Sequence, residues 1–339
     1  MAGIWFSGAT FRGVVSEITG HKSGLALTQE QILDHSPKNY SDLLLKNNAE
    51  GIRIRSEELE ELLLAILYSL GATPYEQKIL PIHQLTKEFT ERGKDSDQVL
   101  AIAKKLVEYH ALSIKEAAAS ASKTLDPTKS IMAVVEQHGK IGLEVSKRYF
   151  ELVQVVLNQS VIGAFVQTNY DDRVHLKELF DSESLKTQYG EFLDQRFIDY
   201  LAKNYETISK MNWRKFEALT AEHFHRNGYT VEIGPGRDDD GVDIRLWNNK
   251  PAKGNPPLTI VQCKRYQGNI DKVVVKSLYA DVLANQAQSG LIVTTSKLSP
   301  GAEKTVKVRG YPIKSIDGIK MREWVTAMKT PETGIFLAE

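Results

Sequence analysis

The sequence predicts an α/β protein: a C-terminal mixed-sheet domain with helices on both faces, preceded by a mainly α-helical N-terminal region. Three observations carry this. From Asn212 the pattern alternates as α-β-β-β-α-β-α-β-α, the order of a layered α/β domain. Leu291–Thr295 (LIVTT) is a continuous apolar run, which marks a strand buried on both faces. Residues 56–159 repeat apolar side chains at helical spacing instead.

Residues 1–50 carry a weak signal, with Thr10–Thr19 reading as a short strand and Pro37–Asn48 as a turn and then a helix. Residues 51–205 read as a helical bundle. Its first helix starts at the N-cap Ser56, has Glu57 and Glu58 in the first turn, and ends at Gly71. Leu59, Leu62, Leu63, Ile66 and Leu70 form its stripe. Further helices are expected over Ser96–His110, Asp126–Gln159 with a bend at Gly139 or Gly142, Asp171–Phe180 and Ser184–Asn204. His83, His110, His138 and His175 lack H-x3-H or H-E-x-x-H spacing, so this region names no metal.

The domain from 206 to 330 opens with a helix over Asn212–Asn227, whose apolar stripe is Trp213, Phe216, Thr220 and Phe224. Glu217 sits beside that stripe, where a carboxylate is costly without a partner; the bland alternative swings it to the edge and into water. A strand at Tyr229–Gly234 leads to the acidic turn Asp238–Gly241. Helices over Asp271–Gln286, Pro300–Arg309 and Ile319–Met328 and a strand at Ile313–Ile316 follow, and 331–339 is a tail.

Two strands between the turn and Tyr266 hold polar groups that a purely structural strand has little reason to carry. In Val242–Trp247, Asp243, Arg245 and Trp247 face away from Val242, Ile244 and Leu246. In Leu258–Tyr266, Gln262 and Lys264 share one side with Ile260, and Cys263 takes the other. Paired as a hairpin, the strands bring Asp243, Gln262 and Lys264 together. A carboxylate, an amide oxygen and an ammonium suit phosphodiester hydrolysis, which needs hard oxygen ligands for a divalent cation and a positive group at the phosphate. The Cys263 carbonyl is a further ligand candidate, its thiol being expected to be buried.

Composition sets limits. The 339 residues suffice for two or three domains, and a lone cysteine excludes an intramolecular disulfide or a multi-Cys zinc site. No apolar run reaches the roughly 20 residues that span a bilayer, and the N-terminus lacks a secretory pattern, so a cytoplasmic location with no membrane partner is expected. Net charge is zero, yet Tyr205–Thr330 holds 20 Lys and Arg against 13 Asp and Glu. Residues 1–204 hold 23 against 28. A basic half beside an acidic one points to a nucleic-acid partner for the basic half. Arg237, Arg245, Arg265, Lys272 and Lys276 are the candidates for phosphate contacts, each of which singly could be an ordinary surface charge.

The runs FEALTAEHFHRNGY, DDDGVDI, VQCKRY, GLIVTTSKLSPGA and SIDGIKM, spanning Ile208–Met328, together resemble the Mrr-type restriction endonuclease catalytic domain. That domain belongs to the PD-(D/E)XK nuclease superfamily, in the branch where Gln-X-Lys replaces Glu-X-Lys. The resemblance implies a restriction-endonuclease-like fold and a type IV, Mg2+-dependent deoxyribonuclease, with Mn2+ as an alternative ion. It implies a catalytic core of Asp243, Gln262 and Lys264, with Glu217 as the first-helix carboxylate near the metal. Asp240 departs from the family turn, where a glycine would stand. The expected function is DNA cleavage in restriction or antiphage defence, with the N-terminal region serving recognition or assembly into a homo-oligomer. A catalytically silent nucleic-acid-binding module and a signal-gated effector scaffold are the alternatives.

Overall fold

The computed structural model describes residues 3–119, 127–159, 170–236, 241–251, 254–266 and 268–329. The chain divides into two compact units. One holds the described parts of 1–55, 65–74 and 168–339; the other holds 56–64 and the described part of 75–167.

The first unit opens with β1 (Ile4–Ser7), α1 (Gly8–Ser23), β2 (Leu25–Ala26), α2 (Gln29–Asp34), a 3-10 turn at Lys38–Tyr40, α3 (Ser41–Leu45) and β3 (Gly51–Ile54). The expected strand at Thr10–Thr19 is corrected here to the helix α1. Its β-branched residues suggest a strand, but Phe11, Val15 and Thr19 recur at four-residue spacing and are fully buried. Ser7 caps the helix by accepting from Thr10 N–H at 3.2 Å, and Gly24 closes it in the left-handed region at φ +68°. β1 pairs antiparallel with β3.

α4 (Ser56–Ser69) crosses the division between the units. The second unit's core is built by α5 (Pro81–Glu91), α6 (Ser96–Ala119) and α7 (Thr128–Gln159). Leu85, Phe89, Val99, Ile102, Leu106, Val134, Val145 and Leu152 form its apolar centre. Arg148 grips Glu88 through two bonds of 2.7 and 2.8 Å. Hydrogen bonds from Arg148 hold the Glu88 carboxyl down to about 2. α7 bends at Gly139, whose φ of +57° suits glycine; this is one of the two positions proposed for a break.

Back in the first unit come β4 (Val174–His175), which pairs parallel with β2, α8 (Glu178–Asp181), α9 (Gln195–Lys203) and a 3-10 turn at Tyr205–Lys210. Two helices were expected over 171–204, but only these short segments form, and residues 182–194 run without helix. This stretch also joins the unit that carries the large sheet, not a bundle with residues 75–159. The reason is polar anchoring. Buried Arg196 makes paired bonds of 2.7 and 2.8 Å to Asp194 and one of 2.9 Å to Asp172, and it reaches the Gly24 carbonyl at 3.3 Å. Buried Glu222 accepts from the backbone N–H groups of Glu191, Phe192 and Leu193 at 3.0, 2.7 and 3.3 Å.

The remaining elements are α10 (Trp213–Arg226), β5 (Thr230–Ile233), β6 (Ile244–Trp247), β7 (Thr259–Lys264), α11 (Lys272–Ala284), β8 (Ser289–Thr294), α12 (Pro300–Arg309), β9 (Ile313–Ile316) and α13 (Gly318–Met328). The five strands order as β5-β6-β7-β8-β9. The β5–β6 and β6–β7 pairs are antiparallel, and β7–β8 and β8–β9 are parallel. This is the expected mixed sheet. α11 and α12 cover one face through Val275, Leu278, Val282 and Ala302 against Ile260, Ile292 and Ile313. α10 and α13 meet over the other, where His223 stacks on Trp324 with centroids 3.8 Å apart. Gly290 lets α11 approach β8, since a Cβ there would come within 3.0 Å of Leu278 and Val282. Leu283 is exposed on α11.

Candidate active site at the ends of β6 and β7

The site forms where β6 begins and β7 ends. Register pairs Ile244 with Val261, so Asp243 and Gln262 are the next residues along each chain. Gly241 precedes them at φ +82°, a conformation that favours glycine and swings the chain into β6. Strand alternation starts only at Ile244. Val242, expected beside Ile244 and Leu246, joins the cluster of Ile260, Val275 and Ile292. Asp243 thus stands just outside the strand, and its Oδ2 accepts from the Cys263 N–H at 2.5 Å. The carboxylate is buried and bound directly to the β7 backbone.

Gln262 is buried too. Its Nε2 donates to the Gly241 carbonyl at 3.1 Å, which fixes the amide's orientation, because a carbonyl can only accept. The Oε1 atom is consequently directed away, buried, and without a hydrogen-bond partner among the described residues. A buried acceptor left open in this way calls for a cation or a water. Asp281 of α11 stands nearby: a Cβ on Gly241 would lie 3.5 Å from Gln262 Nε2 and 3.7 Å from Asp281 Oδ2.

Lys264 ends β7 opposite Thr294 of β8. Its side chain is half-buried and makes no hydrogen bond or ion pair among the described residues. Glu217 reaches the site from α10. It does not swing to water: it is 4% exposed and paired with Arg214, one helical turn earlier, at 2.6 Å. Arg214 also donates to the Gly234 carbonyl at 2.6 Å.

The Cys263 thiol reports how close these groups are. Burial and then the Asp243 carboxylate push it well above its ordinary range; a hydrogen bond with Thr220 opposes this, Glu217 adds to it, and Lys264 opposes it. Asp243, Glu217 and Lys264 therefore all lie within electrostatic reach of one sulfur. The thiol itself is held in its protonated form, far from the reactive thiolate.

Among the described residues, no three His, Cys, Asp or Glu side chains gather closely enough to hold a metal by themselves. The donor set fits a hard divalent cation only if the Gln262 oxygen, a backbone carbonyl and water complete it. Arg237 and the acids Asp238, Asp239 and Asp240 lie outside the described residues.

The other basic candidates divide. Arg265 donates to the Met211 carbonyl, and Arg245 faces Glu232 across β5–β6 at 3.7 Å. Lys272 and Lys276 are exposed on α11 with no ion pair among the described residues. Thr294, Thr295 and Ser296 cap and tie loops: Thr295 bonds the Tyr266 backbone twice at 3.0 Å, and Ser296 donates to the Gly268 carbonyl at 2.7 Å. Arg214 and Asp281 were not singled out in the sequence. Three-residue spacing to Glu217 signals the first, and an acid three residues after the buried Leu278 of α11 signals the second.

No helix among the described residues is long and apolar enough to cross a membrane. No curated protein matches the chain. Among solved structures it is similar to the MspJI restriction endonuclease in complex with a 27-mer oligonucleotide. That match has 19% identity and a TM-score of 0.26, covering 39% of this chain and 30% of that one. The matched part is less than a third of that protein's length. The family model Mrr_cat, described as a restriction endonuclease, matches residues 208–325, about a third of the chain. Domains of this family generally use divalent metal ions. Residues 208–325, with the five-stranded mixed sheet at their centre, are thus a restriction endonuclease catalytic domain of the Mrr_cat family.

Proposed function

We propose that the protein is a Mg2+-dependent endonuclease that hydrolyses DNA phosphodiester bonds in restriction or antiphage defence. The observation that carries this reading is the pairing of an open, buried Gln262 oxygen with the anchored Asp243 carboxylate beside an unspent Lys264. Asp243, Gln262 Oε1, the Cys263 carbonyl and Glu217 would hold Mg2+, with Mn2+ as a substitute. A cation held there supplies charge neutralisation at the phosphate and a more acidic water. The chain's own groups do the rest. Lys264 Nζ orients the attacking water and offsets charge on the phosphoryl oxygens as the new P–O bond forms and the P–O bond to the leaving sugar breaks. Arg214 positions Glu217, and the Gly241 carbonyl positions Gln262. Lys272, Lys276 and Arg237 contact the DNA backbone, while Arg245 and Arg265 serve mainly the fold.

The helical unit serves recognition or assembly, and its exposed Leu112 and Leu143 suit a contact between copies of the chain, making a homo-oligomer. A cytoplasmic location fits this role.

Incubating supercoiled plasmid with Mg2+ tests the reading. Wild-type protein nicks or linearises it, and Lys264→Ala loses on the order of a hundredfold or more in rate. Equal cutting by both removes the site assignment. The second reading, non-cleaving nucleic-acid binding, has one observation in its favour: both carboxylates already have protein partners. Plasmid that is bound and retained intact at all Mg2+ concentrations would establish it.

A further inference from the structure

Just past the ends of β7 and β8 a cavity of about 740 Å3 opens. Tyr205, Tyr266, Asn269, Ser296, Lys297 and Arg322 are among its walls. Tyr266 lies two residues past Lys264 and Thr295 one residue past Thr294, so the cavity is walled by the residues that follow the ends of β7 and β8. Its size falls within the ~300–1,000 Å3 of sites that enclose small organic ligands.

Its charge says which ligand. Lys297 and Arg322 are balanced by Glu206 and Asp317 on the same walls. Two of these are also committed locally. Arg322 stands over the Tyr205 ring at 4.6 Å, and Asp317 caps α13 by accepting from the Ile319 and Lys320 N–H groups at 3.1 and 3.0 Å. A phosphate would find no net positive charge there. What remains is aromatic and neutral. Tyr266 is 60% exposed, with its ring edge against Gly268, and the exposed Asn269 amide has no hydrogen-bond partner among the described residues. A flat, uncharged heterocycle with donors and acceptors on its edge matches such walls.

We propose that this cavity receives one unstacked nucleobase of the DNA strand next to the scissile phosphate, stacked on Tyr266 and hydrogen-bonded by Asn269. The inference rests on the nuclease reading above and adds how the strand is held. Extruding one base would bend the backbone at the phosphate under attack, and would favour sites where unstacking is easy.

The test uses a duplex that the full-length protein cuts at a mapped position, with 2-aminopurine placed singly at each of the three positions either side of the cut. Ca2+ replaces Mg2+ to hold the uncut complex, and cleavage of the unlabelled duplex in Mg2+ is measured in parallel. One position should show a several-fold fluorescence rise on binding. Tyr266→Phe should keep that rise; Tyr266→Ala should lose it and bind about tenfold more weakly. Asn269→Ala should reduce discrimination between bases at that position. Thermal melting checks that each variant folds. A duplex that is cut and bound with no rise at any position overturns the proposal, as does an equal rise in Tyr266→Ala. If the full-length protein cuts no duplex when the position is mapped, the nuclease reading is overturned and this inference with it.

Discussion

Glu217 and Arg214 are both almost sealed from water, and a buried pair of this kind is balanced only while both partners are present. Arg214→Ala is expected to destabilise the fold by about 3 kcal/mol, because it takes the paired cation away from a buried carboxylate; urea denaturation measures it. Glu217→Gln keeps shape and hydrogen bonding, so it should shift the Mg2+ dependence of cleavage several-fold while moving the denaturation midpoint far less. An unchanged Mg2+ titration would remove Glu217 from the metal site. His223 gives a pH prediction. Burial first, and the neighbouring Arg226 charge second, lower its pKa from 6.5 to about 4. The unfolded chain then takes up a proton between these values while the folded one does not. Stability contributed by the neutral ring is complete above pH 6.5, falls as pH drops from 6.5 to about 4, and stays lost below. The loss is on the order of 2 kcal/mol after allowance for solvent screening, and His223→Gln should flatten it. At this scale Asp243, Gln262 and Lys264 stand out in the sequence as candidates because a strand's two-residue period exposes polar groups that packing does not require. Val242 was misplaced, since the left-handed Gly241 resets the alternation, and Asp281 depends on a contact 40 residues away in sequence.

Elements of the sheet domain could be read from local signals: the Ser299-Pro300 start of α12, the apolar run of β8, the stripe of α10. α1 could not, since Thr, Val and Ile in 10–19 favour a strand locally and only burial of Phe11, Val15 and Thr19 decides for a helix. Residues 182–194 look helical in composition, yet they are held out of a helix by acceptors from elsewhere, above all Glu222. Glu222→Ala should therefore cost about 3 kcal/mol, because three backbone donors, that of Leu193 buried and those of Glu191 and Phe192 partly so, lose their charged acceptor at once. Hydrogen exchange localises the effect: the amides of Glu191–Leu193 should lose protection before those of β8. Equal loss across the sheet would mean that Glu222 serves the whole domain and not this loop.

For the molecule as a whole, the sequence placed a helical region before a basic α/β domain, and the second unit with its α5–α7 core fits that outline. Residues 170–205 and 3–55 fall in the same compact unit as the sheet, and Gln195 ties the first of these segments to it by donating to the Met328 carbonyl at 3.1 Å and accepting from Arg226 at 2.7 Å. Assembly belongs to this scale. If exposed Leu112 and Leu143 of the helical unit join copies of the chain, Leu112→Lys with Leu143→Lys should lower the mass in light scattering to that of a 38.0 kDa monomer, with the thermal midpoint little changed. An unaltered mass would place any assembly elsewhere.

On the proposed reading, Asp243 and Gln262 together form the seat of a divalent cation. Mn2+ binding followed by electron paramagnetic resonance tests it without needing to know the DNA sequence. The account predicts saturable binding that weakens at least tenfold in Asp243→Asn and in Gln262→Leu, with Lys264→Ala retaining it. Binding equal in all four proteins would contradict it.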